Sequence, residues 1–350
     1  MTHLERVAAL EHRGYPPRHA AFLELVMLHG GYFVRRQVTA FLRCRDGGVT
    51  SDFLWHLVRR HAVRVGVGRR RAHLYQVFPK PLYAVIGEAE NRNRRIVMPP
   101  MVIRKLMTLD LVLGGPSLTW LATEEEKIRH LTEVCRVPRS ALPGTWYPGR
   151  APFVGTVRHF VDKAPMSVRP DGEVAFAYVQ GLDHSLVGLR GFLDRYVGVL
   201  SALPKARVVW VVSRGVPFDR FEAVTTGWRN RVEARRSRWV SELRDDLYAY
   251  CVCRQRLEAG QSTNPDSDRR VVRERQIRVV GPRFPDVYDA FRASGMAAIE
   301  ACVSADRHLN VAHVRYSMAV LSHPYGLFGS AFEPASSPRH GAPIDEENGR

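Results

Sequence analysis

In the N-terminal part of the chain, apolar positions recur at helical spacing in three consecutive segments. They recur from His19 to His29, and a following glycine pair ends that run, as glycine does after a helix. The segment Val34–Leu42 predicts a short second helix. A turn at 43–48 leads to a third helix, for which Thr50 or Ser51 is the predicted cap, because a hydroxyl there satisfies free backbone N–H groups.

The third helix has an apolar and a polar side, and a hairpin pattern follows it. The apolar side carries Phe53, Leu54, Leu57 and Val58, and the polar side carries Ser51, Asp52, His56, Arg59 and Arg60. Two β-like runs, Ala62–Val67 and His73–Val77, flank a tight basic loop at Gly68–Arg71. Three helices and a hairpin within about 60 residues are typical of a winged helix-turn-helix, whose third helix enters the DNA major groove. The sequence predicts this module over Arg18–Phe78.

Candidate DNA contacts lie near the start of helix two, on helix three and at the hairpin tip. Three adjacent arginines at the tip repel one another, and an anionic partner relieves that repulsion. Helix three would read the major groove, its first residues would meet phosphate, and the tip would grip the backbone or the minor groove. The predicted contacts are Arg35, Arg36, Thr50, Ser51, His56, Arg59, Arg60, Arg69, Arg70 and Arg71. A copy of the module that binds protein is the alternative.

Composition favours a nucleic-acid partner. The 350 residues hold 52 Lys and Arg against 35 Asp and Glu, a formal net charge of +17. A soluble chain that basic usually meets nucleic acid or an anionic membrane surface. The sequence shows neither an apolar stretch long enough for a membrane span nor the apolar core of a signal peptide, so no membrane partner is predicted. Five scattered cysteines, an odd number, suit reduced thiols and a cytoplasmic location.

From about Phe153 the pattern changes to that of a small α/β domain. Near-continuous runs of β-formers indicate buried strands, and Pro170-Asp-Gly172 marks a hairpin turn. The predicted strands are Thr156–Val161, Met166–Val168, Val174–Val179 and Arg207–Val212, and the predicted helices are Gly188–Leu200 and Phe218–Thr226. Together they predict one mixed sheet with helices packed on it.

The remaining segments are predicted to be largely helical. Leu82–Leu113 reads as helical in parts with a break at Met98-Pro-Pro100, Leu118–Val134 reads as one helix, and Pro138–Pro152 reads as a linker. Further on are a long amphipathic helix at Trp228–Ala259 with a basic start at Arg229–Arg238, a disordered stretch at 260–268, a helix at Pro285–Val303 and a helix or strand at Val311–Leu321. The predicted fold class is α+β. Its divisions are 1–80 winged helix, 81–137 helical connector, 138–152 linker, 153–227 small α/β domain, 228–332 helical region and 333–350 disordered tail.

One enzymatic alternative is a restriction-endonuclease-like core. Such a core needs clustered carboxylates to hold Mg²⁺ and a lysine near the attacking water. The hairpin supplies Asp171 and Glu173, but the next strand ends in Tyr178-Val-Gln180, where a glutamate and a lysine are expected. Asp162 and Asp183 stand at the wrong spacing. A diverged nuclease therefore stays an alternative, and no catalytic residue is assigned.

Other catalytic and metal-binding motifs are weaker still. Cys251-Val-Cys253 has a single intervening residue, and the pair His308 and His313 lacks a matching pair of cysteines, so no zinc site is predicted. His313-Val-Arg315-Tyr316 is one residue short of the spacing of a tyrosine recombinase. We expect no metal and no cofactor.

The layout resembles that of winged-helix replication-relaxation proteins of plasmids and integrative mobile elements. The resemblance rests on Arg18–Val77 followed by the segments 171–179, 189–203 and 208–212. It implies a winged helix followed by a degenerate nuclease-like sheet that often lacks catalytic residues. The first half also resembles the winged-helix part of abortive-infection antitoxins.

These resemblances imply a double-stranded-DNA-binding regulator, or a replication or transfer accessory factor of a mobile element. Residues 153–332 would form a homodimer or bind a protein partner. The alternative is a non-catalytic adaptor in a nucleoprotein complex, which the two-faced helix Trp228–Ala259 favours.

Overall fold

The computed structural model describes residues 1–67, 70, 72–148, 155–181, 186–213, 217–280 and 284–328. Over these residues the chain is a mixed α+β protein with three sheets and a helical C-terminal region, which confirms that part of the predicted fold class. Two of the predicted DNA contacts, Arg69 and Arg71, lie outside the described residues, as does the predicted disordered tail.

The secondary structure of the described residues is as follows. The helices are α1 (His3–His12), α2 (Pro17–His29), α3 (Arg35–Leu42), α4 (Gly48–Arg59), α5 (Lys80–Val85), α6 (Pro99–Gly114), α7 (Glu124–Arg129), α8 (Val187–Ala202), α9 (Phe218–Glu258), α10 (Pro265–Arg275), α11 (Val287–Ser294) and α12 (Met296–Ala305). The strands are β1 (Tyr32–Val34), β2 (Val63–Val67), β3 (His73–Val77), β4 (Thr119–Leu121), β5 (Gly144–Tyr147), β6 (Thr156–His159), β7 (Met166–Val168), β8 (Val174–Val179), β9 (Ala206–Ser213) and β10 (Arg315–Leu321).

The N-terminal helices pack against a three-stranded antiparallel sheet in the order β1-β3-β2. Phe22 on α2 packs edge-on against Phe33 of β1 and Phe53 of α4, with ring centroids 5.0 and 5.4 Å apart. The turn between α2 and β1 requires glycine at Gly31, which has φ +79° and whose hypothetical Cβ would lie 2.2 Å from the carbonyl oxygen of Asn93. This close approach fixes where β1 leaves the helix.

The central sheet has five strands in the order β10-β9-β8-β7-β4. Strands β8, β9 and β10 run parallel, and β7 and β4 complete the sheet in antiparallel fashion. One face is covered by α8 and the first turns of α9, with Trp210 fully buried at the centre and stacked on Phe221 at 5.0 Å. The near-continuous apolar runs of β8 and β9 match this burial on both faces.

Helix α6 lies between the N-terminal sheet and the opposite face of the central sheet. Its buried side chains share one apolar cluster with residues of both sheets; the cluster includes Tyr32, Leu74, Leu106, Met107, Ala177 and Val211. A network of polar side chains adds to this apolar contact. The carboxylate of Asp110 on α6 accepts two hydrogen bonds from Arg36 of α3, at 2.6 and 2.7 Å, and one from the hydroxyl of Tyr325. The N-terminal module is therefore packed against the sheet rather than joined to it by a free connector.

Helix α9 runs for 41 residues and links two separate cores. Its first part ends in the core of the central sheet at Trp228 and Val232. Its second part, from Leu243 to Cys251, forms a smaller core with α10, α11 and α12. The basic stretch between them is mostly exposed, as the polar pattern of that segment indicates.

Several sequence predictions agree with these elements. The hairpin of β7 and β8, the helix α8 and the buried strand β9 were all predicted within a few residues. The helices at Val34–Leu42 and the hairpin β2–β3 are also present. The segment Val311–Leu321, which the pattern left open between helix and strand, contributes β10.

Other predictions are wrong. The segment Leu118–Val134 begins with a strand, β4, before α7, and the predicted linker 138–152 contains β5, which pairs with β6. The stretch 260–268, predicted to be disordered, contains the start of α10, which Asn264 caps. The two helices predicted on either side of Trp228 form the single helix α9. The predicted break at Met98-Pro-Pro100, by contrast, is present: Met98 is extended, and α6 begins at Pro99, where the missing N–H of proline costs nothing.

Candidate nucleic-acid interface

Helix α4 presents one exposed stripe that the rest of the module leaves uncovered. Ser51, Asp52, Trp55 and Arg59 recur at spacings of three and four residues, and all are exposed. Trp55 is 60% exposed, and the Arg59 guanidinium carbon lies 4.3 Å from the Trp55 ring centroid. The stripe thus combines a hydroxyl, a carboxylate, an indole and a stacked cation.

The opposite side of α4 fixes that stripe in place. Phe53, Leu54 and Leu57 of the predicted apolar side are buried, whereas Val58, predicted on the same side, is 39% exposed. The helix begins at Gly48 with Gly47 as its N-cap, so the predicted capping by Thr50 or Ser51 is wrong. Instead, the Ser51 hydroxyl donates a 3.1 Å hydrogen bond back to the Gly47 carbonyl.

Two histidines, one on α2 and one on α4, meet between these helices. His19 of α2 stacks on Phe53 with ring centroids 4.0 Å apart, and the His56 ring lies 4.9 Å away. Both ring nitrogens of His19 and the Nε2 of His56 are buried. None of these three atoms has a hydrogen-bond partner within the described part of the chain. Burial, followed by the charge of His56, lowers the pKa of His19 to about 4. Burial, followed by the charge of Arg60, also lowers the pKa of His56.

We expect acid to destabilise the module through His19. The unfolded chain takes up a proton near the ordinary pKa of 6.5, whereas the folded protein resists protonation down to about 4. The free energy of unfolding contributed by this residue is therefore retained above pH 6.5 and falls as the pH drops toward 4, by at most about 1.4 kcal/mol per pH unit and less with solvent screening. Urea unfolding at pH 7 and pH 4.5 measures it. His19→Gln should show a shallower loss than the wild type.

The matched control is His12→Gln, which removes an exposed histidine of α1. It should leave the pH dependence of unfolding unchanged. Equal pH dependence in the wild type and in His19→Gln would contradict the assignment.

The predicted contacts on α3 and α4 differ in how the structure engages them. Arg35 donates to Asp46 at 2.7 Å and to the Ser51 hydroxyl at 2.9 Å, so it ties the α3–α4 turn to the start of α4. This hydrogen bond lowers the pKa of Asp46. The side chain of Arg35 stays 38% exposed, on the same surface as the stripe.

Three other predicted contacts are turned inward or already engaged. Both terminal nitrogens of Arg36 are bonded to Asp110, and Thr50 is fully buried with its hydroxyl 3.7 Å from Cys44 Sγ. Arg60 stacks over Tyr15 at 4.4 Å and donates to the carbonyls of Arg13 and Gly14. These side chains hold the module together in the structure; of the predicted residues on α4, Ser51 and Arg59 lie on the exposed stripe.

The sequence reasoning missed three exposed residues near this stripe. Arg43 and Arg45 lie in the α3–α4 turn, and no hydrogen bond or ion pair involves either side chain among the described residues. Arg43 adopts φ +51°, so the turn bends sharply at its position. Trp55 was not assigned to either side of the helix. A signal was present, because it stands four residues from both Ser51 and Arg59, which places the three on one face.

Among the described residues, the hairpin following α4 carries one further exposed arginine. Arg70 lies exposed in the turn between β2 and β3, with φ +54°. Val65 and Val67 of β2 are 38% and 52% exposed, so the hairpin has an accessible face. Arg64 is engaged, since its guanidinium carbon lies 4.3 Å over the Phe78 ring.

Of the carboxylates considered for a nuclease core, Asp183 lies outside the described residues, and Asp162, Asp171 and Glu173 are each engaged by neighbouring groups. Glu173 is buried and accepts a 2.8 Å hydrogen bond from Arg207, while Asp171 accepts one from the backbone N–H of Glu173 in the hairpin turn. Asp162 instead accepts from the buried Tyr196 hydroxyl at 2.9 Å and pairs with Arg195. Among the residues with described positions, no group of three histidine, cysteine or acidic side chains suits a metal ion.

Gln180 occupies the strand end where a nuclease-like sheet would present a catalytic group. Its side chain is 2% exposed, and its Oε1 accepts a 2.8 Å hydrogen bond from Trp210 Nε1. The residue that departs from the nuclease pattern is therefore built into the core of the sheet.

In the described part of the chain, no helix has both the length and the apolar character that crossing a bilayer demands. Comparison of the sequence and the fold with protein-family models, curated proteins and solved structures finds no match.

Proposed function

We propose that the chain binds double-stranded DNA through a winged helix-turn-helix formed by α2, α3, α4 and the β2–β3 hairpin. The observation that carries this proposal is the exposed stripe of α4, which a buried aromatic core holds rigid and which a basic hairpin follows directly. A rigid helix of this kind, free on one face, fits the major groove. The formal charge of +17 supports an anionic partner.

Each exposed residue has a chemical role in this proposal. Arg59 and Trp55 would contact base edges, the indole favouring the methyl group of thymine, and Asp52 would accept from the amino group of cytosine. Arg43 and Arg45 would contact phosphates beside the start of α4, and Arg35 would hold that turn in position. Arg70 would meet the backbone or minor groove as part of the wing.

The central sheet would have a non-catalytic role, as a dimerisation or partner-binding unit. Two contacts support this role: the amide oxygen of Gln180 accepts a hydrogen bond from Trp210, and the carboxylate of Glu173 accepts one from Arg207. With the layout resemblance, this favours a cytoplasmic regulator or a replication or transfer accessory factor of a mobile element.

Loss of an arginine at the interface should lower both affinity and its salt dependence. Each phosphate contact removed should reduce the slope of log Kd against log salt by about 0.9. We therefore expect Arg70→Ala to weaken binding on all duplexes and to lower the slope by about that amount. Arg59→Ala should weaken binding by about 1–3 kcal/mol at its preferred site if it pairs with a base. Fluorescence anisotropy over a salt series, on random and selected duplexes, measures both.

The matched control is Arg270→Ala, an exposed arginine of α10 remote in sequence from the module. It should leave the affinity and the salt slope at wild-type values. If Arg70→Ala kept the wild-type affinity and salt slope, the hairpin would not contact DNA. Equal losses in all three variants would mean that the net charge, and not this surface, governs binding.

A specific observation supports a second candidate, an adaptor that docks a protein on the same helix. Val49, Trp55 and Val58 on α4 are 63%, 60% and 39% exposed, an unusually apolar surface for a helix that meets DNA. Trp55→Ala separates the two candidates. Duplex affinity should fall if the helix enters the groove, and it should stay unchanged if the helix docks a protein.

A further inference from the structure

A polar cleft of about 390 Å³ opens between helix α9 and the edge strand β10, away from the elements of the proposed DNA-binding module. Its lining includes Arg207, Arg229, Arg315, Phe218, Thr226 and Tyr316. We name it the α9–β10 cleft. Its volume falls in the range of small-ligand sites, about 300–1,000 Å³.

The charge of the cleft is positive. Arg207 and Arg315 are register partners on neighbouring parallel strands, so their side chains start about one strand spacing apart. Both approach the buried carboxylate of Glu173, at 2.8 and 3.8 Å. Arg229 forms no ion pair among the residues described, and the exposed Glu222 is the acidic residue in the lining. Glu173 also pairs with Arg169 at 3.7 Å, and one carboxylate shared by three arginines leaves guanidinium N–H groups for an anion.

The aromatic side of the cleft contains an unmet hydrogen-bonding group. The Tyr316 hydroxyl is buried and has no hydrogen-bond partner among the described residues. Burial raises the pKa of Tyr316 well above its ordinary value, so the hydroxyl keeps its proton and can donate. Buried polar groups without partners are rare, and they often mark a place where a ligand or water binds. The Arg229 guanidinium carbon lies 6.0 Å from the same ring, which places a cation beside this donor.

From this combination we propose that the α9–β10 cleft binds one nucleotide unit. The phosphate would accept hydrogen bonds from Arg229, Arg315 and the Tyr316 hydroxyl, because guanidinium groups match the oxygens of a phosphate. The base would lie against the 41%-exposed ring of Phe218, since every base has a face that stacks on an aromatic side chain. The nucleotide can be free or part of a single strand, because both present the same phosphate and base.

Binding of ADP, adenosine, inorganic phosphate and a 5′-phosphorylated oligothymidylate to the full chain, by isothermal titration, tests the proposal. Arg229→Ala and Arg315→Ala should each weaken ADP binding by about tenfold, as for a lost charge-assisted hydrogen bond. Glu222→Gln should strengthen it severalfold by removing the acidic group of the lining. Tyr316→Phe should weaken it without changing the ring. Arg235→Ala, which removes an exposed arginine of the same helix outside the cleft, should have no effect.

The outcomes separate the parts of the proposal. ADP binding that falls in the two arginine variants and rises in Glu222→Gln supports it, and a parallel response of the oligothymidylate identifies a strand as the source. Absence of ADP and oligothymidylate binding, or equal affinity in Arg229→Ala and Arg235→Ala, overturns it. Inorganic phosphate binding as tightly as ADP, or adenosine binding as tightly as ADP, overturns the assignment of a whole nucleotide. Because all variants keep α4 intact, their duplex affinity should be unchanged if DNA binding by α4 is independent.

Discussion

Replacement of Asp110 by alanine is expected to lower the free energy of unfolding by about 3 kcal/mol, because it leaves the partly buried cation of Arg36 without its carboxylate partner. The Asp110 side chain is 7% exposed and that of Arg36 is 33% exposed. The same carboxylate also accepts from Gln37 at 2.9 Å and from the Tyr325 hydroxyl, so one substitution leaves three donors without their acceptor. Urea unfolding followed by circular dichroism measures the change.

The exposed residue Asp289 of α11 provides the control, since Asp289→Ala removes a carboxylate of the same type from the surface. It should change stability by less than about 0.5 kcal/mol. A loss below about 1 kcal/mol in Asp110→Ala would contradict a structural role for the network. The double variant Asp110→Ala with Arg36→Ala should lose less than the sum of the single variants, because the two residues interact directly.

The same network bears on DNA binding. The sequence places Arg36 among the phosphate contacts, whereas the structure bonds both of its terminal nitrogens to Asp110. Arg36→Ala should therefore lower stability while leaving the salt slope of DNA binding unchanged. If Arg36→Ala instead lowered the salt slope of DNA binding and left stability unchanged, Arg36 would be a phosphate contact after all.

The sequence pattern predicted those strands whose burial is visible in their own run of apolar residues. The strands β8 and β9 were found because runs such as Val174–Val179 are apolar on both faces, and a sheet covered by helices on both sides requires this. The hairpin of β2 and β3 was found because its two runs flank a short turn. In such segments the pattern itself reports burial.

The missed elements depend on partners that are distant in the sequence. Strand β4 has only three residues, none of them fully buried, and it is defined by its pairing with β7. Strand β10 is defined by its pairing with β9, across the whole helical region that separates them. Periodicity along one segment carries no signal for either pairing, so β4 was predicted to be helical and β10 stayed undecided.

The candidate interface shows the same limit for charged residues. The sequence gives three equivalent cations in Arg36, Arg59 and Arg60, yet one pairs with Asp110, one stacks on Trp55 and one caps the carbonyls of a neighbouring turn. Which arginine remains available depends on acceptors supplied by α6 and by the α1–α2 turn. The pattern of charged residues therefore predicts the sign of the partner's charge but not which residues contact the partner.

Replacement of Trp210 by alanine should be the most destabilising change in the central sheet, with an expected loss of about 3–5 kcal/mol. Trp210 is fully buried in β9, stacks on Phe221, and donates its indole N–H to Gln180. The alanine variant combines a large cavity with a buried amide that loses a partner. Trp210→Phe keeps most of the ring and loses the hydrogen bond, so it should cost about 1–3 kcal/mol.

Urea unfolding of both Trp210 variants should be compared with Trp146→Ala, which removes a 63%-exposed indole from β5 and should have a small effect. The order Trp210→Ala, Trp210→Phe, Trp146→Ala, from most to least destabilised, is expected because burial and hydrogen bonding decrease in that order. If Trp210→Phe were as stable as the wild type, the hydrogen bond to Gln180 would contribute nothing. The structural explanation for a glutamine at this strand end would then fail, and the position would again be open to the chemistry that a nuclease-like sheet places there.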